Sequence, residues 1–302
     1  MSSNDSSSPR RNRGDVLTTV TYKPYPTVQA LGRAPLHGPS IEQHVVFILG
    51  VGPGLGLAIA QIFAKQGYTV AIASRNKQRL DGWAKELDQE IRSARKALNV
   101  AVNDSSPQSV AFACDVLSPE AIRKTFQDIA NTWPNKRVGT AIFNASIRKR
   151  GPFLEQRPEQ LQDSIQASIT GGFTFMQAAV ASMTKNNEGR GGSILVTGAT
   201  SSIRGREGFA AFAASKGGLR QICQSVAREY GPQHIHVAHI IVDGLIDSQQ
   251  ARDFLGLQKG QRFGNDAVLR PEEMAKAWLF LASQNESTWT FEMDMRPARE
   301  HF

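Results

Sequence analysis

The sequence predicts an α/β fold of three layers, with helices on both faces of a doubly wound parallel sheet, in a single domain behind an N-terminal tail. Three observations carry this expectation. Short apolar runs alternate with amphipathic helical stretches from His44 onward. A glycine-rich turn joins the first apolar run to the first helix. Neither a second core nor an internal repeat interrupts the alternation. A chain of about 300 residues can bury about three quarters of its unfolded surface, so one large core is available.

Residues 1–43 are rich in Ser, Pro and Arg, and Pro24, Pro26, Pro35 and Pro39 forbid a long helix. They are expected to form a flexible tail, so Tyr22 and Tyr25 are not expected to be catalytic. The domain spans 44–302. HVVFILG is a continuous apolar run ending in glycine, as in a strand buried on both faces. GPGLGLAIAQIFAKQG is a turn running into a helix that stops at Gly67. TVAIASR is a second strand, 76–98 a helix and VAFACDV a third strand. The helix over 118–133 carries Pro119 early, where a missing N–H costs nothing. GTAIFNAS is a fourth strand, 158–186 a long helix and GSILVTG a fifth strand. A helix over 209–230 leads to a sixth strand, IHVAHIIVDG. PEEMAKAWLFLAS is a late helix whose two early acids suit the positive end of its dipole. Strand and helix in this order imply right-handed βαβ crossovers.

Composition excludes several classes. The chain is 40% hydrophobic and 21% charged, which rules out collagen, coiled coil and wholesale disorder. Two cysteines, Cys114 and Cys223, sit among apolar neighbours and read as reduced core thiols. No stretch reaches the 18 apolar residues of a membrane span, and the N-terminus has no signal-peptide core. A soluble, cytoplasmic protein is expected. The net charge is +8, but the basic residues are scattered and no nucleic-acid motif accompanies them. An anionic cofactor or substrate explains the charge better. His234, His236 and His239 are expected to hold no metal, because strand alternation puts His239 opposite the other two.

The turn carries chemistry. Gly50-xxx-Gly54-x-Gly56, with Leu55 inside it and a helix after it, allows a tight bend, close approach of backbone to a diphosphate and close helix–strand packing. Free N–H groups at the helix start then face the anion. The second strand ends in Ser74-Arg75-Asn76 with no acid to read a ribose 2′-hydroxyl. A hydroxyl beside a guanidinium suits a 2′-phosphate, so NADP(H) is preferred to NAD(H).

These residues resemble the short-chain dehydrogenase/reductase family. Gly50, Gly54 and Gly56 look like its cofactor turn, and Asp115-Val116 like the pair beside the adenine. Asn144-Ala145-Ser146 looks like its Asn-Ala-Gly element, and Phe212-Ala-Ala-Ser-Lys216 like its Tyr-xxx-Lys signature. Asp243-Gly244-Leu-Ile246-Asp-Ser248 looks like its Pro-Gly-x-Ile/Val-x-Thr turn near the nicotinamide. The likeness covers about 44–295. It implies a Rossmann-type seven-stranded parallel sheet, NAD(P) at the carboxyl ends of the strands, dimers or tetramers, and a Ser–Tyr–Lys trio supported by an Asn.

The chain departs from that trio. The tyrosine position is Phe212, the serine position thirteen residues earlier is Ala199, and the asparagine position is Ser168. Lys216 remains, and is expected to hold the nicotinamide ribose. Thr200, Ser201, Ser202, Arg148, Arg204, Arg206, Glu207 and Asp243 lie on segments expected to face the nicotinamide, with Thr200 or Ser201 as hydrogen-bond donor to a developing oxyanion. Tyr68 and Tyr230 are expected not to reach the site. Residues 247–268 are expected to form a substrate lid, and Phe254, Leu255, Leu257 and Phe263 suggest a small, apolar substrate. The residues leave three readings open: a hydride-transferring oxidoreductase, a redox-inactive NADP-binding scaffold, and a non-redox cyclase or isomerase.

Overall fold

A computed structural model describes residues 41–102, 105–186, 191–254, 256 and 267–300. Strands β1 (His44–Leu49), β2 (Thr69–Ser74), β3 (Ser109–Ala113), β4 (Arg137–Phe143), β5 (Gly192–Thr197), β6 (Ile235–Val242) and β7 (Glu292–Met295) form one parallel sheet in the order 3-2-1-4-5-6-7. Helices α1 (Leu55–Lys65), α2 (Lys77–Ala97) and α8 (Pro271–Ala282) cover one face, and α3 (Pro119–Thr132), α5 (Gly171–Asn186) and α6 (Ala210–Tyr230) the other. The short helices α4 (Pro158–Ile165) and α7 (Gln249–Phe254) lie in the connections after β4 and β6. Strand order reverses between β1 and β4, and the crevice beyond the carboxyl ends of those strands is where doubly wound sheets take ligands.

The alternation of β1 explains the layers. Val46 and Ile48 point into the core shared with α1, α2 and α8. Val45, Phe47 and Leu49 point into the core shared with α3, α5 and α6. Phe47, Phe126, Phe143 and Phe175 meet there at centroid distances of 5.0–5.5 Å. Trp278 of α8 is fully buried on the first side. Tyr68 lies buried at the amino-terminal edge of the sheet, 5.1 Å from the His44 ring, away from the crevice.

Three expectations are corrected, and one element is added. The helix expected over 158–186 is three pieces, because a π-turn at Gln166–Thr170 separates α4 from α5. Gln166 there donates to Leu117 O, and the chain is pressed against the loop after β3 so closely that a Cβ on Gly171 would lie 2.6 Å from Val116 O. The sixth strand stops at Val242 rather than running to Gly244. His234 is not on it, since its φ of 63° ends the preceding turn, and its ring pairs with Glu286. His236 instead stacks on Trp289, and His239 bonds Glu292, so the three rings do not converge. Finally, β7 did not appear among the elements read from the residues. It is a four-residue edge strand fixed from the side: Arg220 of α6 grips Glu292 with two hydrogen bonds of 2.6 and 2.9 Å, and His239 adds a third at 3.0 Å.

Most of the expected tail lies outside the described residues. Its last part does not hang free: Ile41 packs against the core and its carbonyl accepts from the buried Arg95. The lid is described only for 247–254, 256 and 267–268, where Ser248 caps α7 by accepting from Ala251 N. Leu255, Leu257 and Phe263 lie outside the described residues.

Candidate functional site

The turn after β1 has the shape of an anion cradle. Gly50 has φ 99° and sits against the β4 end so closely that a Cβ would lie 2.5 Å from Ala145 N. A Cβ on Gly56 would lie 2.7 Å from Gly50 O. Only glycine closes this turn. Gly54 differs, because a Cβ there would meet no atom within 4 Å. Gly54 is also the N-cap of α1 and supplies no side-chain cap, so the first N–H groups of the helix, from Leu55 and Gly56, keep their donors for an outside acceptor. Open space beside uncapped donors fits a diphosphate.

Three neighbouring segments fit the rest of a dinucleotide. Arg75 is exposed just beyond β2 and makes no ion pair among the described residues. Asn76 caps α2 by accepting from Arg79 N, which leaves Ser74 and Arg75 as the free end of that strand. Asp115 and Val116 lie beside it, since Cys114 N donates to Ser74 O, and the Asp115 carboxylate is turned into its own loop by Leu117 N. Asn144 braces the centre. Its amide donates to Gly50 O at 2.9 Å and accepts from the Thr197 hydroxyl at 2.8 Å, tying the turn to β4 and β5.

Around the expected trio, Phe212 is 7% exposed and its ring centre lies 5.9 Å from the Lys216 ammonium. Lys216 donates to Thr197 O at 2.8 Å, and burial pulls its pKa down to about 8. Ser168 sits inside the π-turn, fully buried, with its hydroxyl unpartnered among the described residues. Ser202 accepts from Ala199 N and so braces the loop. Tyr230 ends α6 at the opposite edge of the sheet from Phe212.

Asp243, one of the residues expected to face the nicotinamide, is the centre of this region. It is completely buried at the end of β6, where the family has proline. Its carboxylate accepts from the Thr200 hydroxyl and from Arg204 at 2.9 Å, and it lies 3.5 Å from an Arg296 nitrogen. One carboxylate therefore ties the loops after β5, β6 and β7 together. Thr200 spends its proton on Asp243, so it does not offer that proton to an oxyanion. Ser201 makes no hydrogen bond among the described residues and keeps its donor. Beyond Asp243, Gly244 packs on Pro297, and Ile246 bridges Leu269 in parallel register. Arg296 carried no sequence signal. An Asp directly after the buried run Ile240–Val242 was the visible hint, because such a carboxylate must find cations elsewhere in the fold.

A uniformly parallel seven-stranded sheet with a glycine cradle at its switch point defines a dinucleotide-binding α/β protein. A family model described as enoyl-(acyl carrier protein) reductase matches residues 50–293, and the chain belongs to the short-chain dehydrogenase/reductase family. The human 3-oxoacyl-[acyl-carrier-protein] reductase is 25% identical over 209 residues, 69% of this chain and 78% of that protein. The Mycobacterium bovis reductase MabA is 27% identical over 252 residues, 82% and 89% of the two chains. A short-chain dehydrogenase from Rhodopseudomonas palustris superposes with TM-score 0.65 at 30% identity, over 84% of this chain and 99% of that one. An NADPH-bound short-chain oxidoreductase from Pseudomonas aeruginosa, described as having an atypical catalytic centre, shares the fold with TM-score 0.73 at 21% identity, over 87% and 98%.

Among the described residues no helix is long and apolar enough to cross a membrane, and no group of His, Cys, Asp or Glu is arranged to hold a metal.

Proposed function

We propose that the chain is an NADP(H)-dependent oxidoreductase acting on a small organic substrate with an apolar body. The carrying observation is the cradle, where Gly54 faces open space at the uncapped start of α1. Arg75 is assigned the 2′-phosphate, Asp115 and Val116 the adenine side, and Asn144, Ala145, Lys216, Gly244, Ile246 and Ser248 the nicotinamide half. When bound, the cofactor supplies or accepts a hydride. The chain's own residues then bind, orient and exclude water. Phe212 is an apolar wall that carries no proton, Lys216 holds its charge beside it, and Ser201 is the hydroxyl with a donor to give. A general acid contributes about 10²–10⁴-fold, so its loss slows hydride transfer without abolishing it. Phe212 also favours a second reading, a cofactor-binding protein that does not turn over. The same proposal carries a homodimer or homotetramer in the cytoplasm, where both buried thiols stay reduced.

Calorimetry tests the binding step. NADPH is expected to bind more tightly than NADH, and Arg75→Ser to erase the difference while leaving NADH unchanged. No affinity for either nucleotide at millimolar concentration refutes the proposal. Incubation of the NADPH complex with carbonyl, enone and imine compounds then separates turnover from silent binding.

A further inference from the structure

Two loops meet beyond the carboxyl ends of β4 and β5, and they are tied together by backbone. Gly151 N donates to Gly208 O at 3.1 Å, and Gln156 donates to Gly151 O and Gly208 O while accepting from Ala211 N. Both loops are rich in arginine. The Arg148 and Arg150 guanidiniums lie 5.2 and 5.4 Å from the centre of the same ring, Phe209. Arg206 shares a tight turn with that ring, since Phe209 N donates to Arg206 O. Phe209 is in turn 6.4 Å from Phe212, the apolar wall at the tyrosine position.

Two guanidiniums on one ring repel each other, and a nearby carboxylate would relieve this. Neither Arg148 nor Arg206 makes an ion pair among the described residues. Burial and the neighbouring Arg150 both pull Arg148 below its ordinary pKa, as expected of a cation short of an anion. Glu155 and Glu207, the carboxylates on these two loops, make no ion pair among the described residues, and the buried Asp243 at the end of β6 is shared by Arg204 and Arg296. Apolar groups flank the cations: Ile203 is 43%, Phe153 75% and Leu154 96% exposed on the same two loops.

We propose that the Arg148–Phe209–Arg206 rim binds an oxyanion carried by the substrate, so that the substrate class is an organic acid with an apolar body next to its reacting carbon. This rests on the oxidoreductase reading for the word substrate, but the site can be tested without it. The guanidinium fork grips an oxyanion through two parallel hydrogen bonds, while the exposed side chains cover the body. The turn proposed for the cofactor's diphosphate follows β1, whereas the rim lies on the loops after β4 and β5, so the rim is free for a second anion.

The test is calorimetric binding of phenylacetate, phenyl phosphate and neutral phenylacetamide, to the free protein and to its NADPH complex. Both anions are expected to bind about tenfold or more tightly than the amide, the scale of a charged hydrogen bond. Their order tells whether a carboxylate or a phosphate is the better head group. Arg148→Gln with Arg206→Gln is expected to bring the three compounds to equal affinity, and Arg148→Lys with Arg206→Lys to keep the preference for anions. Equal binding of amide and anions to the unaltered protein overturns the proposal, as does a preference that survives the double Gln change. A loss of NADPH affinity in that variant also overturns it, because the arginines would then serve the cofactor. If NADPH does not bind at all, the oxidoreductase reading fails, and the comparison on the free protein still decides the rim.

Discussion

Gly54→Ala separates the cradle's role in folding from its role in binding. An added methyl at Gly54 meets nothing within 4 Å, so the free protein has room for it. The stability change expected of such a surface site is within about 0.5 kcal/mol. A bound diphosphate would occupy that space, and a tenfold loss of affinity corresponds to about 1.4 kcal/mol. With NADPH at one hundred times its dissociation constant, the unaltered protein gains about 2.7 kcal/mol, and a tenfold weaker variant gains about 1.4 kcal/mol. At about 2 °C per kcal/mol for a chain of this size, a ligand-induced rise in Tm near 5 °C falls to about 3 °C. Gly56→Ala is the contrast. Its methyl would stand 2.7 Å from Gly50 O and 2.9 Å from Val51 Cα, both backbone atoms that cannot turn aside. Overpacking of that kind costs about 1–3 kcal/mol, so this variant loses stability before any ligand is added. Differential scanning fluorimetry with and without NADPH reads both effects. If Gly54→Ala keeps the full thermal shift, the diphosphate is not held at this turn.

Three further outcomes are expected. Asp243→Asn leaves Arg204 and Arg296 facing a neutral amide; Arg204 is partly exposed, so the cost is discounted to about 2 kcal/mol, measured by urea unfolding, and an unchanged midpoint would show that the carboxylate is not the tie between the loops. Burial pulls His44 to about 3 and His239 to about 4, so both stay neutral in the folded chain while the unfolded chain takes up protons below about 6.5. Stability is then full above pH 6.5 and falls as pH drops below it. From pH 7.5 to 5.5 the two together cost about 3 kcal/mol, seen as a lower urea midpoint, and His44→Leu removes about half of that loss; identical midpoints at the two pH values would contradict the burial argument. Phe212→Tyr places a phenol beside the Lys216 ammonium and is expected to raise NADPH-dependent reduction of a responsive ketone by about 10²-fold, with a new titration in the rate profile. An unchanged rate and profile would mean that position 212 does not face the reacting carbon.

The sequence by itself determined the layers and the cradle. Its alternation of apolar runs and helices is local information, because the period of each segment says which faces must be buried. Gly50, Gly54 and Gly56 were legible from their spacing between a strand and a helix; Gly56 is constrained by the turn's own backbone, whereas the contact of Gly50 with Ala145 was settled by the fold. The departure at Phe212 was equally visible, because it is a missing atom. Tertiary structure alone decided the rest. Strand β7 is short and polar, and it exists because Arg220 and His239 reach across to Glu292. The π-turn in the long helix answers to Gly171 pressing on a loop more than fifty residues earlier in the chain. Asp243 became a hub only when Thr200 and Arg204 arrived from the loop after β5 and Arg296 from the segment after β7, and the same convergence took the proton that Thr200 was expected to offer. A pairing between charges distant in the chain leaves no periodicity behind, so it is settled by where the fold brings the loops and not by the segments themselves.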